Sequence, residues 1–135
     1  MALPDAHPAF RAHFTDPVYD AEGADAGPFG NDEGWDLVMD WGRRRDELGP
    51  DSSLATVLGT DDVLNVAGPM EGVDGIETAQ FVVSAAFTLL RLTGRLAEDD
   101  QALALLALGF MIETAAPEPE RLVLRDDLVS WRNPA

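Results

Sequence analysis

Two long apolar runs in the second half of the chain have the period of helices. The first covers residues 75–93 and places apolar side chains on nearly every side of a helical wheel, which is typical of a buried central helix. Gly94 follows it as the expected C-terminal cap, and Asp74 with Glu77 has the spacing of an acidic capping box at its start. We therefore predict a buried helix that begins at Gly75.

The second apolar run has the same all-round character. It covers about Asp99 to Ala115 and stops before Pro117, because proline interrupts a helix. The pattern of residues 120–131 fits either a strand or a helix. We favour a short final helix, since a lone strand would have no partner.

The first half of the chain has shorter amphipathic segments. Asn31 is a good N-cap, and the helix after it is expected to reach Leu48, before Gly49. A short helix should follow and end at Gly59. Residues 60–66 could form another turn, and residues 68–75 read as a glycine-rich acidic loop.

Residues 1–22 contain several prolines and interspersed aromatic residues, so we expect an irregular N-terminal arm that lies on the domain. Residues 23–135 are expected to form a single helical domain. The predicted fold is all-α: a compact bundle of four to five helices, two of them apolar and buried.

Composition limits the functional classes. The chain has no cysteine and no lysine, and its 25 acidic residues outnumber nine arginines. Residues 1–74 carry a net −12 and residues 75–135 a net −4. Such a negative potential repels nucleic acid and anionic membranes and attracts basic partners.

The sequence also bears on localisation. The apolar runs are shorter than the roughly 20 residues that span a bilayer, and residues 1–14 lack a signal-peptide pattern, so we expect a cytoplasmic protein.

Three interpretations of the acidity stay open at this stage. Solubility together with a GC-rich codon bias favours Asp and Arg over Lys. A salt-rich cytoplasm would select the same composition. A negative surface that docks on a basic protein, as in nuclease inhibitors or immunity proteins, is the functional interpretation.

The candidate binding site lies at the start of the first amphipathic helix. Asp32, Asp36 and Asp40 recur every four residues and line one face, although like charges at this spacing are mildly destabilising. Asn31 and Glu33 complete the candidate site. The alternative is a solvated face, with Asn31 acting only as a helix cap.

The only histidines, His7 and His13, lie in the arm. They leave open a small hydrolase or metal-dependent enzyme that uses them with nearby acids. The spacing of the acids does not match a calcium-binding EF-hand loop. We assign no catalytic residue, metal site or cofactor from the sequence.

One short motif resembles a known family. Gly27, Pro28 and Phe29 form a turn before Asn31-Asp32 and Asp36, and this pattern resembles the opening of the bacterial DUF4259 family, a domain of unknown function. The aromatic residue of the motif lies at Trp35 here, whereas the family pattern has it at the position of Leu37. The resemblance covers about residues 23–131. It departs from the family pattern where Ala24 and Asp25 replace Trp-Gly. It implies a helical domain and brings no activity.

The leading functional hypothesis is a non-enzymatic binding domain, immunity- or antitoxin-like, that docks a basic protein through its acidic helix face. The alternatives are the enzyme that uses the arm histidines and a salt-adapted structural domain. A homo-oligomer is left open.

Overall fold

The structure is a computed structural model that describes residues 3–21, 26–59, 72–114 and 118–134. The described chain is all-α and contains no strand. Its α-helices are α1 (Pro8–His13), α2 (Asp32–Arg43), α3 (Leu54–Leu58), α4 (Gly72–Thr93), α5 (Glu98–Thr114) and α6 (Pro119–Ser130). Two 3₁₀ turns cover Pro17–Asp20 and Arg45–Glu47. The prediction of a compact helical bundle is confirmed.

Helix α4 is the central helix, and α1, α2, α3 and α5 all pack against it. Nearly every side chain from Val82 to Leu92 is buried, because the neighbouring helices cover all sides of its apolar surface. The helix ends as predicted at Gly94, whose φ of 70° is the left-handed conformation that glycine adopts without strain.

The predicted start of α4 is wrong. The helix begins at Gly72, so Asp74 lies inside the first turn and not at the N-cap position. The first N–H groups of a helix lack intrahelical partners wherever the helix begins. The Asp74–Glu77 capping pattern therefore did not predict the residue at which this helix begins.

Helix α5 is apolar on all sides but is buried along one face only. Ala104, Ala107, Leu108 and Met111 are inaccessible, whereas Leu106 is 56% exposed. The reason is that α5 lies between α4 and α6 and leaves its remaining face uncovered by the described residues. Of the two apolar helices predicted to be buried, α4 is therefore buried on all sides and α5 along one face.

The final helix, α6, confirms the helical interpretation of residues 120–131. Its C-terminal carbonyl groups are capped by a side chain from α5, because Gln101 Nε2 donates to the carbonyl oxygens of Leu128 at 2.7 Å and Trp131 at 3.2 Å. Trp131 itself is buried. Within the described residues, no helix is long and apolar enough to cross a membrane.

The N-terminal arm is more regular than expected, because it contains α1 and a 3₁₀ turn. Phe10, Phe14 and Tyr19 are almost completely buried in the main core. Arg91 of α4, itself 2% exposed, donates to the carbonyl oxygens of Pro4 at 2.8 Å and Tyr19 at 3.2 Å. Burial lowers the pKa of Arg91 from its ordinary value. The arm is thus part of the packed domain.

Helix α2 is shorter than predicted. It ends at Arg43, and the 3₁₀ turn Arg45–Glu47 takes the place of its expected last turn. Helix α3 begins with a Ser53 capping box and ends at Gly59, with a φ of 74°, which confirms its predicted end. The predicted turn at 60–66 and residues 68–71 of the predicted loop lie outside the described residues, and residues 72–75 of that loop are instead the first residues of α4.

Candidate docking groove

A groove with a volume of about 640 Å³ lies between α2 and α3, and Phe81 of α4 contributes to its lining. One wall is α2, which presents charged side chains along the groove. The opposite side is formed by α3 from Thr56 to Gly59. The groove therefore brings together residues that are up to about 50 positions apart in the sequence.

The α2 wall carries four carboxylates: Asp32, Glu33, Asp36 and Asp40. The three aspartates are exposed and Glu33 is half-buried. A residue rises about 1.5 Å along an α-helix, so positions four apart are separated by about 6 Å along the axis. The predicted acidic face is thus one wall of a concave site, which the sequence pattern did not indicate.

Apolar side chains line the rest of the groove. Leu37, Trp41, Val57, Leu58 and Phe81 come from three different helices. The indole Nε1 of Trp41 donates a buried hydrogen bond of 2.9 Å to the carbonyl oxygen of Val57. This bond fixes the indole and joins α2 to α3, so the apolar surface of the groove is held in place before any ligand arrives.

Arg44 occupies one end of the groove. Its guanidinium lies 4.0 Å from the centre of the Trp41 ring and forms ion pairs with Asp40 at 3.1 Å and Glu47 at 3.0 Å. The hydrogen bond to Glu47 raises the pKa of Arg44 above its ordinary value. Arg44 therefore combines ion pairs to two carboxylates with stacking on the Trp41 ring.

The amide of Asn31 is used in the fold. Its Oδ1 accepts from the backbone N–H of Gly34 at 2.8 Å, and its Nδ2 donates to the carbonyl oxygen of Gly27 at 3.0 Å. These bonds cap α2 and close the preceding turn. The structure thus places Asn31 beside the groove as a cap, while Asp32, Glu33, Asp36 and Asp40 line it.

The Gly27–Gly30 turn is anchored on the central helix. Ser84 Oγ donates to the carbonyl oxygen of Pro28 at 3.0 Å and accepts from Gln80 Nε2 at the same distance. Phe29 is fully buried and Trp35 is half-buried. The turn positions the first turn of α2 against α4, where Gly34 lies beside Ser84, and with it the acidic wall of the groove.

The two histidines cap helices. His7 Nδ1 accepts from the backbone N–H of Ala9 and caps α1. His13 Nε2 lies 2.8 Å from the carbonyl oxygen of Asp127 and 3.0 Å from Ser130 Oγ. A carbonyl oxygen can only accept, so Nε2 carries the proton and cannot serve as the base that activates Ser130.

Asp100 and Thr88 are buried polar residues that lie outside the groove. Asp100 is 7% exposed, and its Oδ2 accepts from the backbone N–H of Leu54 at 3.3 Å. Burial raises the pKa of Asp100, against the opposing effect of this hydrogen bond. Thr88 Oγ1 is inaccessible and has no hydrogen-bond partner in the described part of the chain. Within the same residues, no group of three or more His, Asp or Glu side chains could hold a metal ion.

No family model matches the chain, and neither a curated protein nor a solved structure matches it. The resemblance to the DUF4259 family therefore stays a prediction.

Proposed function

We propose that this protein is a non-enzymatic binding domain that docks a basic protein through the groove between α2 and α3. The observation that carries the proposal is the coincidence of four carboxylates with a fixed apolar surface in one concave site. Interfaces combine an apolar centre with complementary charges in this way. An immunity- or antitoxin-like role is the concrete form of the proposal, since such proteins neutralise basic partners.

The electrostatic balance of the groove supports a cationic partner. Among the described residues, Arg44 is the only cation that lines the groove, and it is paired with Asp40. Asp32, Glu33 and Asp36 take part in no ion pair within the described chain. Like charges along one helix face are mildly unfavourable, and a basic partner would relieve that repulsion.

The geometry of the arm histidines does not favour the hydrolase alternative. His7 and His13 each cap a helix end, and neither lines the acidic groove. The third hypothesis, a salt-adapted structural domain, would need no groove. It predicts that the free energy of unfolding rises steeply with potassium chloride and that no partner is found.

The test compares two triple variants with the same change in net charge. In the first, Asp32, Asp36 and Asp40 become Asn. In the matched control, the exposed residues Asp46, Asp51 and Asp126, which lie outside the groove, become Asn. Each protein is used to capture partners from native bacterial lysate at low and high salt.

We expect the wild type and the control variant to retain the same basic partner at low salt and to release it as salt screens the charges. The groove variant should lose it. If all three proteins capture the same partners, or if both variants lose them equally, the groove is not the docking site.

A further inference from the structure

The arrangement of Arg44 bears on how the groove is regulated. Its guanidinium covers one face of Trp41 and forms an ion pair with Asp40. Both of these residues line the groove, so Arg44 already uses two groups that a ligand could contact. The ion pair with Asp40 is exposed, whereas Trp41 is buried beneath the guanidinium, and neither contact alone is strong. A competing cation could therefore displace Arg44 at small cost.

The spacing of the acids indicates the form of the partner. Asp32, Asp36 and Asp40 lie on one face of α2 in steps of about 6 Å, with the apolar side chains of Leu37 and Phe81 in the same groove. On an amphipathic helix, side chains at positions i, i+4 and i+8 are also spaced about 6 Å apart along the axis. Such a helix presents apolar residues on the face next to this row. A helix with a row of cations is thus complementary in both charge and register.

The contact that Arg44 already makes indicates the type of cation. A planar guanidinium stacks on an aromatic ring while it donates hydrogen bonds to carboxylates, which an ammonium group does less well. Arg44 does both at once, with Trp41 beneath it and carboxylates on Asp40 and Glu47.

We infer that Arg44 is an intramolecular competitor that holds the Trp41–Asp40 end of the groove until an arginine from an amphipathic helix of the partner replaces it. The inference rests on the proposed docking function and adds the partner class and an autoinhibitory contact. Removal of Arg44 should then strengthen binding, whereas removal of an arginine elsewhere on the helix should not.

The test uses the full chain and a synthetic 16-residue helical peptide with arginines at every fourth position and leucines on the same face. Binding is measured by fluorescence anisotropy at low salt for wild type, R44Q and R43Q. Arg43 is the exposed neighbour of Arg44 and does not line the groove. Both variants make the net charge more negative by one, so non-specific attraction is matched.

We expect R44Q to bind the peptide about fivefold more tightly than R43Q, the size set by the loss of two exposed ion pairs, with Asp40 and Glu47, and one cation–π contact. R44K keeps the charge but loses the planar stacking, so its affinity should be intermediate, and it also serves if R44Q fails to fold. A peptide with lysines in place of arginines should show a smaller difference between the variants.

The two hypotheses fail differently. If no protein binds the arginine peptide, the proposed function fails for this partner class and the inference fails with it. If wild type binds the peptide but the affinity of R44Q is equal to or lower than that of R43Q, Arg44 is not a competitor. The proposal that the groove is the docking site is then unaffected.

Discussion

Replacement of Gly34 by Ala tests how tightly the start of α2 is held against the Gly27–Gly30 turn. A Cβ added at Gly34 would lie 2.0 Å from the carbonyl oxygen of Pro28 and 2.9 Å from Ser84 Oγ. The first of these is backbone, and Ser84 and the cap of Asn31 hold it in place. The clash must be relieved by separating α2 from the Pro28 turn.

The magnitude follows from two opposing effects. Overpacking of a fixed site costs about 1–3 kcal/mol and occasionally more, while Ala in place of Gly in a helix gains at most about 1 kcal/mol. Because the obstacle is backbone, we expect G34A to lower the free energy of unfolding by about 2 kcal/mol. The acidic wall of the groove should shift with it.

Gly109 in α5 provides the matched control, because a Cβ there would meet nothing within 4 Å. G109A should raise the free energy of unfolding by about 0.5–1 kcal/mol through helix propensity alone. Urea unfolding followed by circular dichroism measures both variants. If G34A is as stable as the wild type, or shifts in the same direction as G109A, the described contact between α2 and the Pro28 turn is wrong.

Three further substitutions probe buried polar groups. T88V should raise the free energy of unfolding by about 1 kcal/mol in urea, because it replaces a buried hydroxyl that has no partner in the described residues; a loss of stability would indicate a hidden partner. The pKa of Asp100 is higher in the folded protein than in the unfolded chain. Asp100 therefore stabilises the fold below its unfolded-state pKa of about 4, and this contribution is lost as the pH rises through its pKa in the folded protein. D100N should therefore gain stability relative to wild type as the pH rises above about 4, and a difference that does not change with pH would contradict this. R91M leaves the carbonyl groups of Pro4 and Tyr19 without a donor and should cost about 2–4 kcal/mol in thermal unfolding, whereas R95M, at an exposed arginine, should have little effect.

The parts of the fold that depend on local chemistry could be predicted from the sequence. Gly94 and Gly59 end helices as expected, because a left-handed terminal residue favours glycine whatever packs nearby. The extent to which α5 is buried could not be predicted from the sequence. An apolar face can be buried, but the sequence does not say whether another helix covers it. Leu106 is exposed because no described helix lies over it.

The candidate site shows the same division. The row formed by Asp32, Asp36 and Asp40 follows from helical spacing, and so does the pairing of Asp40 with Arg44. The groove itself required knowledge of where α3 lies, because Val57 accepts the hydrogen bond from Trp41 across 16 positions of sequence. No local pattern reports such a contact.

The N-terminal arm packs against α6 and Trp131, and these contacts affect the order in which the protein folds. Phe14 stacks on Trp131 with ring centres 5.4 Å apart, and Tyr19 donates a 2.7 Å hydrogen bond to Asp127, across more than 100 positions of sequence. Contacts of this separation form slowly, because a long loop must close first. On the ribosome the arm emerges before its partners exist. Phe14 and Tyr19 can meet Phe87 once α4 has been synthesised, but their contacts with Trp131 and Asp127 must wait for α6, so the arm completes its packing last.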